Sequence, residues 1–371
     1  MRILENALVV PGEPDTDRAA CTFPAALTLA SGEVLLTYRT GSTKDSDDET
    51  IEMRRSTDGG RSWGAPRRCF DSGLDGVRGS LKVCYLTELA PGRVLAAAMW
   101  IDRQAFPGQP LFNAQTEGCL PMAVVLAESQ DGGRTWPAWR RVPLPEQIGP
   151  PSLTSPLLRL PDGSLAMSIE TNKAYHDASQ WYQRVVHFHS RDEGRTWGDV
   201  TVAGEDPSGR IFNWDQRAAV APDGRLVTFT WTYDSQTRQY LNVHRRISSD
   251  RGGTWTPAED MHVTDQAGRP AVLPDGRVVL PWVDRFGDQS IKARSAAAID
   301  APFAPHSEVT LYCLQETQKH STATTGDLLA EMGLWTFGLP FALVLPDGDV
   351  LVLFYAGDSA QMGIHAARLR A

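Results

Sequence analysis

Acidic, guanidinium and indole side chains concentrate in a few irregular stretches of the chain, between segments that alternate like strands. Asp and Glu can transfer protons, Arg can bind an anion or a hydroxyl group, and Trp offers a flat face on which a sugar ring can stack. These stretches are 37–54, 98–123, 169–186, 230–245, 281–292 and 355–362, with the segments that lead into the next strand. The candidate side chains are Arg39, Asp47, Arg78, Asp102, Glu170, Asp215, Arg217, Arg269 and Trp335.

An octet close to Ser-x-Asp-x-Gly-x-Thr-Trp occurs at 56–63, 129–136, 190–197 and 248–255. Such a regular spacing indicates an internal structural repeat. In each copy the Asp can accept backbone N–H groups, the Gly can adopt positive φ, and the Trp can anchor the next strand by packing. We therefore predict that the octets are hairpin corners and that their Asp and Trp residues are not catalytic.

Six hairpin signatures interleave with the octets, each an apolar run, a tight turn and an alternating run. Their turn glycines are Gly32, Gly92, Gly163, Gly224, Gly276 and Gly348. The first four are followed by an octet, the fifth by a degenerate successor at 291–303, and the sixth by the C-terminal strand. This pattern predicts one all-β domain over 1–371, a six-bladed β-propeller with four-stranded antiparallel blades, in which the strand at 2–10 completes the last blade.

The order of strands also predicts where a site can form. In an up-and-down blade the first and third connections lie on one face, and the second connections lie on the other. The first and third are short turns here, whereas the second are the long stretches that carry the candidate side chains. Loops on a rigid scaffold commonly carry binding groups, so we expect one funnel at the mouth of the propeller.

Composition narrows the classes of partner and compartment. The chain has 371 residues and a formal net charge of −9, which argues against a nucleic-acid surface. It contains no apolar run long enough to span a bilayer, and its first residues are a poor signal peptide. Its 5 cysteines are widely spaced and form no CxxC pair. We expect a cytoplasmic protein without a cofactor, a membrane partner or a nucleic-acid partner, and no pattern points to a particular oligomeric state.

The octets, the six hairpins and the closing strand together resemble the sialidase (neuraminidase) superfamily, in which such octets are called Asp boxes. The resemblance covers essentially the whole chain. It implies a general-acid Asp in the first long loop, where Asp47 matches and Asp45 and Asp48 are alternatives in register. It also implies an acidic partner in a middle blade, where "NWDQR" places Asp215, and a loop arginine, where Arg39 matches.

Two family features are missing from the sequence. The family's Arg-Ile-Pro motif before the first strand is replaced here by "CTFP", with Thr22 and Phe23 at the Arg and Ile positions. The family's Tyr nucleophile before the last blade is replaced by "WTFGLP", which contains Trp335 and Phe337 but no Tyr. Without the first arginine of the carboxylate clamp and without the Tyr, we expect an activity other than that of a true sialidase.

The leading expectation is an exo-acting glycoside hydrolase that uses a glycan or small-molecule substrate with a different sugar. Asp47 is the predicted acid, and Asp215 or Glu170 is the second carboxylate. Substrate binding is assigned to Arg39, Arg78, Asp102, Arg217 and Arg269, with Trp335 stacking on the sugar.

Two other classes stay open. One is a non-catalytic carbohydrate-binding or assembly propeller, which would lack two carboxylates close together in its mouth. The other is a metal site at His187 and His189, which alternate onto one face of a strand beneath His176 and Asp177. Histidines on a propeller strand are more often packed in the core, so no metal is predicted.

Overall fold

A computed structural model describes residues 1–314 and 332–371. The N-terminal strand β1 is Arg2–Val10. Blade 1 contains β2 (Thr22–Thr28), β3 (Val34–Thr40), β4 (Thr50–Ser56) and β5 (Arg67–Arg68). Blade 2 contains β6 (Gly79–Ala90), β7 (Arg93–Asp102), β8 (Met122–Ser129) and β9 (Arg140–Arg141). Blade 3 contains β10 (Ser152–Leu153), β11 (Leu158–Arg159), β12 (Leu165–Glu170), β13 (Arg184–Ser190) and β14 (Gly198–Glu205).

The second half continues the same plan. Blade 4 contains β15 (Ile211–Val220), β16 (Leu226–Asp234), β17 (Gln239–Tyr240), β18 (Asn242–Ser248) and β19 (Glu259–Thr264). Blade 5 contains β20 (Gln266–Ala267), β21 (Ala271–Val272), β22 (Val278–Asp284), β23 (Ser290–Ala296) and β24 (Val309–Cys313). Blade 6 contains β25 (Phe337–Val344), β26 (Val350–Gly357) and β27 (Met362–Arg370). Short 3-10 helices span Glu146–Ile148, Pro305–Ser307 and Met332–Leu334.

In the described residues these strands form six antiparallel sheets, so the predicted six-bladed propeller is confirmed. Blade 6 has the order β1-β27-β26-β25, which confirms that the N-terminal strand completes the last blade. The backbone N–H of Cys21, just before β2, bonds to the carbonyl of Met362 at 3.0 Å and thereby joins blade 1 to blade 6. No helix in the described ranges is long and apolar enough to cross a membrane.

The middle strands of the blades form the core. In β16 every residue is buried, and in β7 only the two end residues are partly exposed. Each blade is covered on both faces by its neighbours, so a strand such as "RVLAAAMWID" can be apolar almost throughout instead of alternating. Each fully buried large apolar side chain contributes about 1.5–3 kcal/mol to folding.

The octets are tight corners held by their own side chains. In the first copy, Asp58 Oδ1 accepts the backbone N–H groups of Arg61 at 3.0 Å and Ser62 at 2.9 Å. The hydroxyl of Ser56 accepts the N–H of Gly60 at 2.8 Å, and Gly60 has a φ of 85°, which favours glycine. The corner therefore satisfies its own polar groups, which accounts for the recurrence of this residue pattern.

Each octet packs against the first turn of the preceding blade. The Arg251 guanidinium of the fourth octet bonds to Asp162 in the turn of blade 3. Arg93 in the turn of blade 2 pairs with Glu193 of the third octet at 3.0 Å. These contacts put both kinds of turn on one face, as predicted, and leave the long loops for the other.

Candidate functional site

The inner strand of every blade is interrupted near the propeller axis, and the interruptions surround a cavity. β2, β6, β15 and β25 have bulges, and blades 3 and 5 have their inner strand split in two. One residue at or beside each interruption lines the cavity: Phe23, Lys82, Thr154, Asp215, Gln266 and Leu339. Bulges turn a side chain out of the regular ladder, and here they turn it toward the axis.

Three of these residues adopt a left-handed backbone conformation, which is unfavourable for residues other than glycine. Phe23, Asp215 and Leu339 have φ values of 51°, 48° and 46°. A non-glycine residue with positive φ costs free energy and persists where surrounding contacts impose it, often at a functional site. The cavity that they enclose has a volume of ≈ 150 Å³. We call it the upper cavity.

One wall of the upper cavity carries the carboxyl groups of Glu170 and Asp215. Glu170 ends β12 and is buried, and its Oε1 accepts the N–H of Gln216 at 3.0 Å. Burial, together with the negative charge of Asp215, raises the pKa of Glu170 to about 8. Asp215 is bound by Arg217 Nη2 at 3.2 Å and by the side-chain amide of Gln266. Glu170 therefore holds its proton to a higher pH than an exposed glutamate does, beside the carboxyl group of Asp215.

The opposite wall is an ion-pair network. Lys82 Nζ bonds to Asp45 Oδ1 at 2.9 Å and to Glu49 Oε1 at 3.1 Å. Burial would raise the pKa of Asp45, but the charges of Lys82, Arg103 and Arg39 outweigh it and lower that pKa below its ordinary value. Asp45 is therefore held as an anion and is poorly suited to donate a proton.

Lys44 lies beside this network and faces aromatic rings. Its Nζ is 5.1 Å from the ring centre of Tyr355 and 5.6 Å from that of Trp335. Burial, followed by the positive charges of Arg285 and Arg39, holds its pKa well below the ordinary range of lysine. This amine therefore loses its proton at a lower pH than an exposed lysine does.

Two tyrosine hydroxyls also line the upper cavity. Tyr85 accepts a hydrogen bond from Arg217 Nη1 at 3.1 Å. Tyr355 donates to the carbonyl of Trp335 at 3.4 Å, and burial raises its pKa to about 12. Both lie on strands outside the segment in which the family motif carries its Tyr, so the sequence comparison at 335–340 missed them.

Four indole rings, from Trp181, Trp214, Trp231 and Trp335, complete the lining. Trp214 stacks on Tyr233 with ring centres 4.9 Å apart, and Trp231 stacks on Tyr240 at 4.4 Å. These stacks fix the rings in place, and pre-positioned aromatic rings suit an apolar sugar face.

Four of the predicted site residues meet in the upper cavity: Glu170, Asp215, Arg217 and Trp335. The guanidinium of Arg285 lies 3.9 Å from the ring centre of Trp335. One face of that indole is thus covered by a cation, and a sugar would have to contact the ring elsewhere.

The other predicted site residues do not line the upper cavity. Asp47 is half-exposed in its loop and pairs with Arg78 at 2.9 Å. Asp102 accepts the backbone N–H groups of residues 104 and 105, so it caps its own loop. Arg39 is fully buried and bonds to Glu49 at 2.7 Å.

Arg269 is also displaced, because it lines a second cavity nearer the opposite face. The residues that the sequence missed include Lys82 and Gln266, which stand ten residues before their turn glycines. Phe23 and Asp215 stand nine residues before theirs. This offset from the turn is the periodic signal that could have found the lining residues.

The histidine pair is a packing feature. His187 is buried, its Nε2 lies 3.0 Å from Gln216 Oε1, and burial lowers its pKa to about 4. His176 packs edge-on against Phe106 with ring centres 5.2 Å apart. In the part of the chain that the structure describes, no group of three or more His, Cys, Asp or Glu residues could hold a metal ion.

Known proteins resemble the chain in sequence or in overall fold. A sialidase from Micromonospora viridifaciens is 25% identical over 270 residues, which are 67% of this chain and 38% of that protein. A solved structure of a protein of unknown function from Dyadobacter fermentans has a TM-score of 0.75 and 19% identity, covering 100% of this chain and 99% of that one. The intramolecular trans-sialidase from Ruminococcus gnavus has a TM-score of 0.66 and 14% identity, covering 98% and 96%.

The chain is sialidase-like in fold. No known family model matches it. The sialidase-like chain spans well under half the length of the M. viridifaciens sialidase, so that protein's activity does not transfer with the alignment. The shared fold agrees with the resemblance that the octets and hairpins indicated. A fold does not determine an activity, so the activity has to be inferred from the residues of the upper cavity.

Proposed function

We propose that this protein is an exo-acting glycoside hydrolase. The observation that carries the proposal is the pairing of Glu170, whose pKa is raised to about 8, with the carboxylate of Asp215 in one enclosed cavity. Glycoside hydrolysis needs a protonated carboxyl group for the leaving oxygen and a second carboxylate as base or nucleophile. The trans-sialidase neighbour was solved with oseltamivir carboxylate and a leech neighbour with 2,7-anhydro-Neu5Ac, which supports a carbohydrate as ligand.

The roles follow from the two environments. Glu170 keeps its proton at neutral pH and donates it to the leaving oxygen. Asp215, oriented by Arg217 and Gln266, acts on the anomeric carbon or on a water molecule beside it. The pairing of two carboxyl groups whose environments separate their protonation states is the pattern from which acid and base roles are assigned.

The small size of the upper cavity supports exo action. A volume of ≈ 150 Å³, enclosed by residues of all six blades, suits one terminal sugar better than an internal segment of a chain. The fixed indole rings of Trp214 and Trp231 offer it an apolar surface.

The arginines of the upper cavity argue against a sugar carboxylate as the recognised group. Arg217 already bonds to Asp215 and Tyr85, and Arg285 bonds through Nη1 to the carbonyl of Phe337 at 3.1 Å and through Nη2 to Gln266 at 2.8 Å. Neither guanidinium offers both of its Nη groups for a bidentate clamp. We therefore propose a neutral sugar.

The test is a hydrolysis screen with 4-methylumbelliferyl glycosides of neutral sugars and of sialic acid, using wild type, Glu170→Gln and Asp215→Asn. Loss of a general acid or base costs about 10²–10⁴-fold in rate, and each of these variants should lose that much kcat. Asp47→Asn is the matched control, since this acid lies outside the upper cavity, and it should retain wild-type kcat.

Three outcomes would count against the proposal. Turnover that depends on Asp47 and not on Glu170 would indicate that Asp47, in the exposed loop, is the general acid. Preferential turnover of the sialoside would overturn the neutral-sugar assignment. Saturable binding of a sugar without any turnover would favour a non-catalytic binding propeller.

A further inference from the structure

One residue of each blade forms a ring across the propeller axis. Seven residues before the six turn glycines stand Ala25, Tyr85, Pro156, Arg217, Arg269 and Phe341. Tyr85 stacks on Phe341 with ring centres 6.3 Å apart, and the Arg269 guanidinium lies 4.8 Å from the ring centre of Phe341. Tyr85 also bonds to Arg217. Four residues of the ring therefore contact one another; Tyr85 and Arg217 line the upper cavity, and Pro156 and Arg269 line a second one.

Below this ring lies a second cavity of ≈ 360 Å³, which we call the lower cavity. Its walls come from the inner strands and combine polar groups with aliphatic residues such as Leu27, Leu158 and Leu343. Arg269 belongs to the ring and lines the lower cavity, whereas Arg217, at the equivalent position of blade 4, lines the upper one.

The guanidinium of Arg269 has no carboxylate partner in the described residues. In the part of the chain that the structure describes, its side chain makes one hydrogen bond, from Nη1 to the carbonyl of Ala342 at 2.6 Å. Its Nε is buried and has no partner among the described residues. Burial lowers its pKa to about 10, and no carboxylate counteracts that effect. Arg217, by contrast, has Asp215 at 3.2 Å.

The acid that lines the lower cavity does not neutralise Arg269. Glu88 accepts the backbone N–H of Ala30 at 2.7 Å and that of Gly92 at 3.3 Å, so its carboxylate is held by two turns. Arg159 lines the same cavity and is exposed. The cavity therefore carries two guanidinium groups and one engaged carboxylate, and it is net positive.

We propose that the lower cavity binds a small carboxylate with a short aliphatic tail, through the donors of Arg269 that Ala342 leaves unused. Arg269 is partly buried and has no carboxylate partner in the described residues, and a carboxylate offers the planar, bidentate acceptor that the Nε and Nη2 donors of a guanidinium match. The aliphatic residues of the walls would cover the tail. This site is separate from the upper cavity and does not depend on the proposed hydrolase activity.

The experiment is saturation-transfer difference NMR with propionate, titrated at constant ionic strength against sodium chloride. Wild type should give a saturable signal from the propionate methyl group, and Arg269→Met should raise Kd at least tenfold. Arg277→Gln, in the exposed turn of the same blade, and Lys44→Met, in the upper cavity, should leave Kd unchanged.

Thermal unfolding gives a second readout, in case Arg269→Met binds weakly because it is poorly folded. Saturating propionate should raise the Tm of wild type by a few degrees, since a ligand that binds only the folded state stabilises it. Arg269→Lys keeps the positive charge but lacks the paired N–H donors of a guanidinium. Its Tm should therefore rise less with propionate than that of wild type. A signal lost with Lys44→Met and kept with Arg269→Met, or an equal response to chloride, would overturn the proposal.

Discussion

Replacing Glu170 by Gln should stabilise the protein at neutral pH while it removes the proposed acid. The raised pKa of Glu170 means that the folded protein resists ionising this buried group, whereas the unfolded chain ionises it freely. Gln is isosteric and neutral, and its carbonyl oxygen can still accept the N–H of Gln216. The variant therefore avoids the cost of keeping an ionisable group in the upper cavity.

The size and sign of the effect follow from proton linkage. Below pH 4.5, the ordinary pKa of this group, both states are protonated and Glu170 costs nothing relative to Gln. From there to about pH 8 only the unfolded chain loses the proton, so the free energy of unfolding of wild type falls as pH rises. The slope is about 1.4 kcal/mol per pH unit, which amounts to about 3 kcal/mol at pH 7 and levels off near 5 kcal/mol above pH 8.

Urea unfolding of wild type and Glu170→Gln at pH 5, 7 and 8.5 measures this difference. The stabilisation should be small at pH 5 and should grow with pH. Asp215→Asn is the informative partner variant, because removing its charge should lower the pKa of Glu170 and shrink the gain from Glu170→Gln. A difference that does not change with pH, or a destabilisation that grows with pH, would show that Glu170 is ionised in the folded protein and would refute the reasoning.

Four further outcomes are expected. The kcat/KM of the wild type on any substrate found should fall above about pH 8, where Glu170 loses its proton, and an activity that rises there would exclude it as the acid. Ser129→Ala should lower the unfolding free energy by about 1–3 kcal/mol in urea, since a buried N–H of its octet loses its acceptor. Lys82→Met should cost about 3–5 kcal/mol by the same measurement, because two carboxylates lose their buried cation, and a neutral effect would contradict the network. Deleting residues 1–10 should lower the Tm sharply, because the edge of β27 is left unpaired, and an unchanged Tm would argue against closure by β1.

The fold could be predicted from the sequence because its signals are local and repeated. The hydrogen bonds that shape each octet corner join residues at most four apart, such as Asp58 and Ser62, so a short motif determines the corner wherever it occurs. The turn glycines mark the start of each second strand in the same way. Blade number, strand order and closure then follow from counting the repeats.

The site was predicted less completely because its contacts are not local. The pKa of Glu170 is raised first by burial and then by the charge of Asp215, which comes from the next blade. The pKa of Asp45 is lowered by Lys82, which is 37 residues away. No pattern within one loop contains that information. The choice of Asp47 as the acid rested on type and loop position, and the structure pairs it with Arg78 at the surface instead.

The symmetry of the propeller is broken at its axis, and both proposed sites depend on that difference between the blades. The ring has one equivalent position in each of the six blades. In blades 4 and 5 this position holds an arginine. Arg217 is neutralised by Asp215 and belongs to the upper cavity, whereas Arg269 lacks such a partner and belongs to the lower one. The hydrogen bonds of the blades require neither side chain, because the same position holds Ala25 or Pro156 in other blades. Arg269 is a partly buried charge without a carboxylate partner in the described residues, at a position where another blade has alanine, and the proposed ligand of the lower cavity accounts for its presence there.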